Sequence, residues 1–419
     1  MGRRRPARHR HSARRPLVIA GAVGAAALAA VGCSSSGSGS AAASGGSASS
    51  TITIGSIGTL TGVEASGYAA VQQTQDAWVS YTNAHGGIDG HKVNLIALDD
   101  GGSGPTALQD AKKLVEQDHV VAIVSAMSDA DPSFGAYVDA VKIPVVGGSL
   151  IDTEWETNPY YFPQGETTSV QDGTQVQLAK QSGATRYGWL YCTEVIACAQ
   201  ATPVFKAYTR QLGISLAYSA GITATQPSYT APCLAAKAAG VDAMEVGEAP
   251  IVLTNVATAC AAQGFTPQWV ASTEEVNASN LTTKALNGML VQLVDFPWTD
   301  QSVPASKEYY DALKTYQPAV LTGPGFSSSS SQAWTALQLF AAAVQAAHPS
   351  GSVTTADILA GLWSMKDETL GGIAPPLTFT KGKPVGFINC GFVIRDRNGA
   401  WVEPQGLKPV CTPAPTFKP

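Results

Sequence analysis

The sequence predicts an α/β protein of two similar lobes, each a parallel sheet flanked by helices. From residue 51 onward, strand-like and helix-like segments alternate, which is typical of βαβ units. The short runs "VVAIVS" and "IPVVGG" are predominantly apolar, as expected of strands buried on both faces. The alternation breaks near residue 166 and then starts again, so the chain holds two successive sets, each large enough for a domain.

The first set begins with the strand "TITIGSI" and the helix "YAAVQQTQDAWVSYTNA", whose Val71, Trp78 and Tyr81 share one face. Gly86 and Gly87 are placed to end this helix, since glycine favours the position after a helix C-terminus. The strand "KVNLIALDD" and the helix "SGPTALQDAKKLVEQD" follow, and the two apolar runs complete the set.

The second set opens with the helix "ETTSVQDGTQVQLAKQSG". Its predicted strands are "RYGWLY", "ISLAYSA", "VDAMEVG" and "QWVAST", and the helices between them are "ATPVFKAYTRQLG", "TAPCLAAKAAG" and "VLTNVATACAAQG". The late helix "SSSSSQAWTALQLFAAAVQAA" does not extend this set, so we expect the chain to return there to the first lobe.

The N-terminal segment, residues 1–32, is typical of a secretory signal peptide. It holds seven arginines and no acid, and then the uncharged run "LVIAGAVGAAALAAV", which is shorter than the ~20 residues that span a bilayer. The following "AVGC" resembles the lipobox of bacterial lipoproteins, which implies that Cys33 is diacylated; an unmodified cysteine at an ordinary cleavage site is the alternative. Residues 33–50 then form a flexible Gly/Ser-rich linker. We expect a protein anchored by lipid to the outer face of the cytoplasmic membrane, exported by the Sec or the twin-arginine route.

The charge balance excludes nucleic acid as a partner of the folded part. The whole chain has 26 basic and 31 acidic residues, and without residues 1–32 the formal net charge is −12. A surface this acidic repels phosphate backbones and anionic lipids.

Six further cysteines form an even set in an exported chain, which favours disulfides. Six cysteines allow 15 connectivities, so spacing alone does not fix the pairing. Pairing of sequence neighbours is favoured because each pair closes a modest loop; these are Cys192 with Cys198, Cys233 with Cys260, and Cys390 with Cys411. The spacing in "CTEVIAC" does not suit a zinc site, and no metal or cofactor is predicted.

The stretch "HGGIDGHKVNLIALDDGGSGPTALQDAKKLVEQDHVVAIVSAMSDADPSFG" resembles the substrate-binding proteins of branched-chain amino-acid ABC transporters, the leucine/isoleucine/valine-binding kind, with the type I periplasmic-binding-protein fold. The flanking "ITIGSIGTLTG" and "IPVVGGSL" fit the same pattern. The resemblance implies two lobes joined by three crossovers, near residues 165–168, 297–299 and 371–375. It places one lobe at 51–168 with 297–372 and the other at 169–296 with 373–411.

The resemblance also places a ligand at the strand ends of the first lobe, where open parallel sheets bind ligands. A family serine that holds the ligand carboxylate matches Ser128, and Ser149 falls near a second such contact. Asp129 and Leu150 adjoin these serines, and Tyr68 lies near the family's aromatic position. The alternative for each serine is a helix cap or a turn, and Tyr68 could instead be a core residue.

The second lobe departs from the family pattern. The acid that pairs with a ligand ammonium could be Glu274 in "STEE", whereas the aromatic position falls on "GEAP", where Glu248 or Ala249 stands. An acidic pair suits a longer or more cationic ligand than a branched-chain amino acid. The strand ends hold no Arg or Lys of the kind that dicarboxylates and phosphorylated ligands require.

The sequence therefore predicts a solute-binding protein that captures a small polar ligand, an amino acid or related amine or amide, and delivers it to an ABC permease. A ligand sensor of the same fold that signals to a membrane receptor is the alternative. An exported enzyme is disfavoured because G-x-S-x-G and H-E-x-x-H are both absent. We expect a monomer.

Overall fold

The computed structural model describes residues 50–416, apart from the side chain of Ile196. The predicted signal peptide, Cys33 and nearly all of the predicted linker lie outside the described residues. The strands are β1 (Ile52–Gly58), β2 (Val93–Asp99), β3 (Ile123–Ala126), β4 (Val145–Gly148), β5 (Tyr161–Phe162), β6 (Arg186–Cys192), β7 (Ser215–Ile222), β8 (Ala243–Gly247), β9 (Gln268–Ala271), β10 (Leu290–Leu293), β11 (Cys390–Asp396), β12 (Trp401–Val402) and β13 (Val410–Cys411).

The α-helices alternate with these strands through most of the chain. They are α1 (Val71–Ala84), α2 (Gly104–Glu116), α3 (Pro132–Val141), α4 (Glu154–Thr157), α5 (Thr168–Gln181), α6 (Ile196–Leu212), α7 (Thr230–Ala238), α8 (Pro250–Ala262), α9 (Pro304–Tyr316), α10 (Ser328–Ala347) and α11 (Thr355–Ser364). Within residues 50–416, no helix combines the length and the apolar character that crossing a bilayer requires.

The strands form two sheets. The first has the order β2-β1-β3-β4-β5 and is parallel throughout. The second has the order β12-β11-β10-β9-β8-β6-β7, and it is parallel from β7 to β10. β11 joins β10 in the antiparallel sense, and β12 and β13 both pair with β11, so the C-terminal strands add an antiparallel edge that the sequence does not predict.

Helices cover both faces of the first sheet, which explains why its central strands β3 and β4 are buried at every position. Val124 and Val146 belong to the same core cluster as Trp78 of α1 and Trp334 of α10. Ile123, the residue before Val124, packs with α2 and α3 on the other face. Helix α10 packs against β3, β4 and α1. The chain therefore returns to the first sheet after the second is largely built, as the sequence predicts.

Three segments carry the chain between the sheets and run side by side. The first two meet where the amide of Glu166 donates to the carbonyl of Val294 at 3.2 Å. The second meets the third where the amide of Phe296 donates to the carbonyl of Ile373 at 3.0 Å. The predicted crossover positions lie in these segments, although the third crossing continues beyond residue 375 to β11. The lobe boundaries themselves remain a prediction; below, each sheet with its helices is called the first or the second lobe.

Three disulfides join sequence neighbours, in the pairing that loop length favours. They are Cys192–Cys198 at the end of β6, Cys233–Cys260 between α7 and α8, and Cys390–Cys411 between β11 and β13. All three lie in the second lobe, and they suit an oxidising compartment.

Replacement of Gly165 tests how closely the first two crossovers must approach. A Cβ atom there would lie 2.1 Å from the carbonyl oxygen of Val294, so backbone must move to admit it. Gly165→Ala is expected to lower the free energy of unfolding by about 1–3 kcal/mol, as overpacking does. Urea unfolding measures this change. The control is Gly351→Ala, where nothing lies within 4 Å, and a loss as large in the control would contradict the explanation.

Candidate functional site

A cavity of about 120 Å³ lies where the strand ends of the two lobes face each other. The first lobe supplies its wall from the segments that follow β1, β3 and β4. The second lobe supplies helix α5 and the ends of β6, β8 and β9. Because each sheet is parallel in this region, the carboxyl ends of its strands lie at one edge, and the segments that follow them converge.

One group of side chains crosses the cavity from lobe to lobe. The hydroxyl of Tyr68 donates to Asp129 Oδ1 at 2.6 Å and lies 3.0 Å from the hydroxyl of Ser149. Ser149 in turn donates to Glu274 Oε1 at 3.2 Å, and the amide of Gln332 donates to the same oxygen at 2.9 Å. The carboxyl groups of Asp129 and Glu274 are therefore held on either side of two hydroxyls.

Burial dominates the electrostatics of this first group. It raises the pKa of Asp129 to about 7, although the hydrogen bond from Tyr68 acts in the opposite direction. Burial also raises the pKa of Glu274, against the hydrogen bonds from Gln332 and Ser149. The pKa of Tyr68 lies well above its usual range because the ring is buried and carboxylates surround its hydroxyl. A proton or a cation is needed to stabilise the two carboxylates.

A second acidic group consists of Glu64, from the segment after β1, and Glu248, at the end of β8. Glu248 is only 5% exposed, and neither of its oxygens has a well-formed hydrogen bond within the described part of the chain. Burial raises the pKa of Glu248 to about 9, with further contributions from Glu64 and from Glu194. Glu64 also has a raised pKa, caused by burial and by Glu194. These carboxyl groups line the cavity without a cationic neighbour.

A third acidic group, in the second lobe, was missed by the sequence analysis. Glu245 accepts a hydrogen bond from Tyr187, and the Gln175 amide, oriented with its nitrogen toward the carboxylate, donates to both oxygens at 2.9 and 3.0 Å. Glu275 accepts the amide of Ser272 at 2.8 Å. Asp172, on α5, has one buried oxygen without a partner. A signal was available for Glu245, which is the single charged residue in the apolar strand "AMEVG".

The wall beside these carboxyls is apolar. It is made by Trp189, by the Cys192–Cys198 disulfide, and by Val195 and Ala201. Leu150 also lines the cavity, and its carbonyl accepts the amide group of Gln171 at 2.6 Å. The site therefore combines acidic ends with a surface suited to methylene groups.

Ser128 is not part of the cavity wall. It is fully buried, its hydroxyl donates to Asp100 Oδ2 at 2.5 Å, and it accepts the amide of Ala130 at 2.9 Å. These bonds place Ser128 in the turn before α3. A turn residue is one of the alternatives to a ligand contact that the sequence leaves open for this serine. Of the other predicted site residues, Tyr68, Asp129, Leu150, Glu248 and Glu274 line the cavity, and Ser149 lies just behind it.

No Lys, Arg or His side chain lines the cavity within the described residues. In that same part of the chain, Lys113 and Asp118 form the one ion pair within 4 Å, far from the cavity on α2 and the loop that follows it. No group of three or more His, Cys, Asp or Glu residues between 50 and 416 is arranged to hold a metal ion. The acidic side chains of the cavity therefore lack a cationic partner among residues 50–416.

A family model described as "Periplasmic binding protein" matches residues 51–395. The chain belongs to the periplasmic binding protein family. Members of this family bind ligands rather than catalyse reactions, which confirms that the chain is not an enzyme, and they work outside the cytoplasm. The predicted α/β fold of two lobes is confirmed as well.

Similar proteins of this family include binding proteins for different ligands. A Pseudomonas aeruginosa protein named "Amino acid binding protein" is 31% identical over 116 residues, which span 27% of this chain and 29% of that relative. A branched-chain amino acid ABC transporter structure from Thermus thermophilus with bound valine has a TM-score of 0.74 at 14% identity, covering 86% of this chain and 97% of that one. A fatty acid ABC transporter substrate-binding protein from Thermomonospora curvata has a TM-score of 0.71 at 20% identity, covering 88% and 96%.

The raised pKa values of this binding protein predict an unusual dependence of stability on pH. Asp129, Glu275 and Glu248 have pKa values of about 7, 8 and 9 in the folded state, against about 4 in an unfolded chain. The folded state then binds more protons than the unfolded state between pH 4 and 9, so the free energy of unfolding falls as pH rises through this window. Melting temperatures of the ligand-free protein from pH 5 to 9 should decrease.

Glu248→Gln provides the matched comparison for this pH series. The titratable groups that act on Glu248 are Glu64, Glu194 and Tyr229, from the segments after β1 and β6 and before α7. An uncharged amide at position 248 should flatten the decrease, most clearly toward pH 9. A wild-type melting temperature that is constant or rising between pH 5 and 9 would show that these carboxyls are ionised in the folded protein.

Proposed function

We propose that this protein captures a small polar ligand, such as an amino acid or a related amine or amide, and delivers it to an ABC permease; the cavity favours a ligand that carries a cationic group. The observation that carries the proposal is the cavity between the two lobes, whose carboxyl groups lack a cationic partner in the described part of the chain. Uncompensated buried carboxylates are costly, so a bound cation stabilises the site.

The size of the cavity supports a small ligand. A cavity of about 150 Å³ accommodates benzene, so 120 Å³ suits a molecule of roughly half a dozen heavy atoms. The acidic lining argues against a fatty acid, the substrate class named for the Thermomonospora curvata protein. A ligand carboxylate in this cavity would face Asp129 and Glu274 without an Arg or Lys to bind it.

The connection between the lobes supports capture by closure. Both lobes contribute to the wall, and Ser149 and Glu274 already form a hydrogen bond across it. Three adjacent crossovers form a hinge about which two lobes can rotate, as in other binding proteins that close around a ligand. Delivery to a permease rests on the family, whose relatives with solved structures include ABC transporter proteins.

We further propose that Cys33 is diacylated and holds the protein at the outer face of the cytoplasmic membrane. The support is the sequence "AVGC" after an uncharged segment, together with three disulfides that suit an exported protein.

A thermal-shift panel tests ligand capture. A ligand at 100 times its Kd stabilises the folded state by about 2.7 kcal/mol, which raises the melting temperature measurably. Amines, amino acids and amides of about six heavy atoms are expected to include stabilising compounds, whereas dicarboxylates and sugar phosphates of similar size serve as negative controls. If no cationic or zwitterionic solute stabilises the protein, the proposed function is wrong.

Cys33→Ser tests the anchor. The variant cannot be acylated at this position, so we expect it in the soluble fraction or as an unprocessed precursor, whereas the wild type sediments with membranes. Fractionation followed by mass spectrometry of the N-terminal peptide measures both outcomes. Cys192→Ser, which changes a disulfide cysteine instead, should leave membrane association intact. An unmodified wild-type Cys33 would contradict the proposal.

A further inference from the structure

We propose that the ligand is a small organic dication, such as a short diamine, rather than a zwitterionic amino acid. This inference rests on the proposed function and specifies its substrate class. It follows from two acidic groups in the cavity wall, Asp129 with Glu274 and Glu64 with Glu248, and from the apolar surface of the same cavity.

A zwitterion requires a place for its carboxylate, and the cavity does not offer one. The resemblance assigns that place to Ser128 and Ser149. Ser128 is outside the wall, and its hydroxyl is already bonded to Asp100. Ser149 lies between the hydroxyl of Tyr68 and Glu274, and Tyr68 donates to Asp129. An anion at this position would therefore meet two carboxyl groups, and no lining Lys, Arg or His within the described residues would offset them.

The opposite requirement, a place for a second cation, is met by Glu248. This side chain is 5% exposed and lines the cavity, and neither of its oxygens has a hydrogen bond of good geometry in the described structure, although the Glu64 carboxyl and the Ala249 amide lie close to it. Its neighbour Glu64 is also acidic and also lines the cavity. An ammonium group supplies three N–H donors and a positive charge, which satisfies the unpartnered oxygens and offsets the repulsion between the two carboxylates.

The two acidic groups together hold four carboxyl groups, so a single cation does not compensate both groups once they are ionised. Glu248 follows β8, whereas Asp129 follows β3 and Glu274 follows β9. Each group draws its members from both lobes, since Glu64 belongs to the first lobe and Glu248 to the second. A ligand that carries a cation at each end can bridge the lobes twice.

The wall favours an organic cation over a metal ion. No group of three or more potential metal ligands between residues 50 and 416 has the required arrangement. Trp189 and the Cys192–Cys198 disulfide present apolar surface in the same cavity. A chain of methylene groups between two ammonium groups fits a cavity lined by both carboxyl groups and apolar surface, whereas a hydrated metal ion does not use the apolar surface.

Calorimetric titration of the purified protein at pH 8 with four matched probes tests this inference. The probes are 1,4-diaminobutane, butylamine, 4-aminobutyrate and valine. The first three share a four-carbon chain and differ in whether the second end is cationic, neutral or anionic. We expect 1,4-diaminobutane to bind roughly tenfold or more tightly than butylamine, and roughly a hundredfold or more tightly than 4-aminobutyrate.

Three charge-removing variants test which carboxyl groups bind the two ammonium groups of the diamine. Glu248→Gln and Glu274→Gln each keep the side-chain shape, and each should weaken 1,4-diaminobutane by roughly tenfold or more. Asp129→Asn provides a second variant in the acidic group that contains Glu274. The control is Asp139→Asn, an exposed carboxylate on α3 outside the cavity, which should change the affinity by less than about twofold.

The outcomes separate this inference from the proposed function. The inference of a dication is wrong if valine or 4-aminobutyrate binds as tightly as 1,4-diaminobutane, or if the variants of only one acidic group weaken the diamine. The proposed function, capture of a small ligand, is not contradicted by either result. If 1,4-diaminobutane fails to bind but another amine from the thermal-shift panel binds, the inference of a dication is again wrong and the proposed function is not contradicted. If nothing in either set binds, the proposed function fails as well. Tighter binding of the diamine that depends on both Glu248 and Glu274 supports the inference.

Discussion

A carboxylate removed from water needs a proton, a set of hydrogen bonds or a cation, and this requirement governs the cavity of this protein. Two parallel sheets place their carboxyl edges opposite each other, and the segments beyond those edges are rich in Asp and Glu. Glu245 meets the requirement through Tyr187 and Gln175. Glu248 has no comparable bonds, and its pKa is accordingly raised to about 9. The site thus contains both satisfied carboxyls, which fix its shape, and unsatisfied ones, which await a ligand.

Most of the fold could be predicted from the sequence because its sheets are covered on both sides. Strands such as β3 and β4 are then buried at every position and mostly apolar, and the helices between them have a single apolar stripe, so both leave a strong local pattern. The C-terminal strands leave no such pattern. β12 and β13 are two residues long and form only because β11 is already in place. Helix α9 was missed although Tyr309, Ala312 and Leu313 have helical spacing and are buried.

The site was harder to predict than the fold because single side chains in the turns after the strands form it, and neighbouring residues in such a turn point in different directions. Ser128 and Asp129 are sequence neighbours after β3, yet one is buried in the turn before α3 and the other lines the cavity. A motif match therefore does not decide which of two neighbouring side chains reaches the cavity. Asp172 was missed for a different reason. It lies in the first turns of α5, after a crossover, and only the docking of the two lobes brings that helix to the cavity.

The raised pKa values of the cavity carboxyl groups also couple the binding of a cationic ligand to the release of protons. In the empty cavity, raised pKa values mean that several carboxyls hold protons near neutral pH, and this protonation lowers the cost of burying them. A cationic ligand binds the ionised forms, so it displaces protons as it enters. The empty protein is then least stable under the conditions in which the cation binds most strongly, namely above the pKa values of the carboxyls and below the pKa of an alkyl amine, about 10. On the proposed function, the ligand supplies the stability that the empty cavity lacks, and an acidic site without a cation among the described residues would make closure depend on the captured cation.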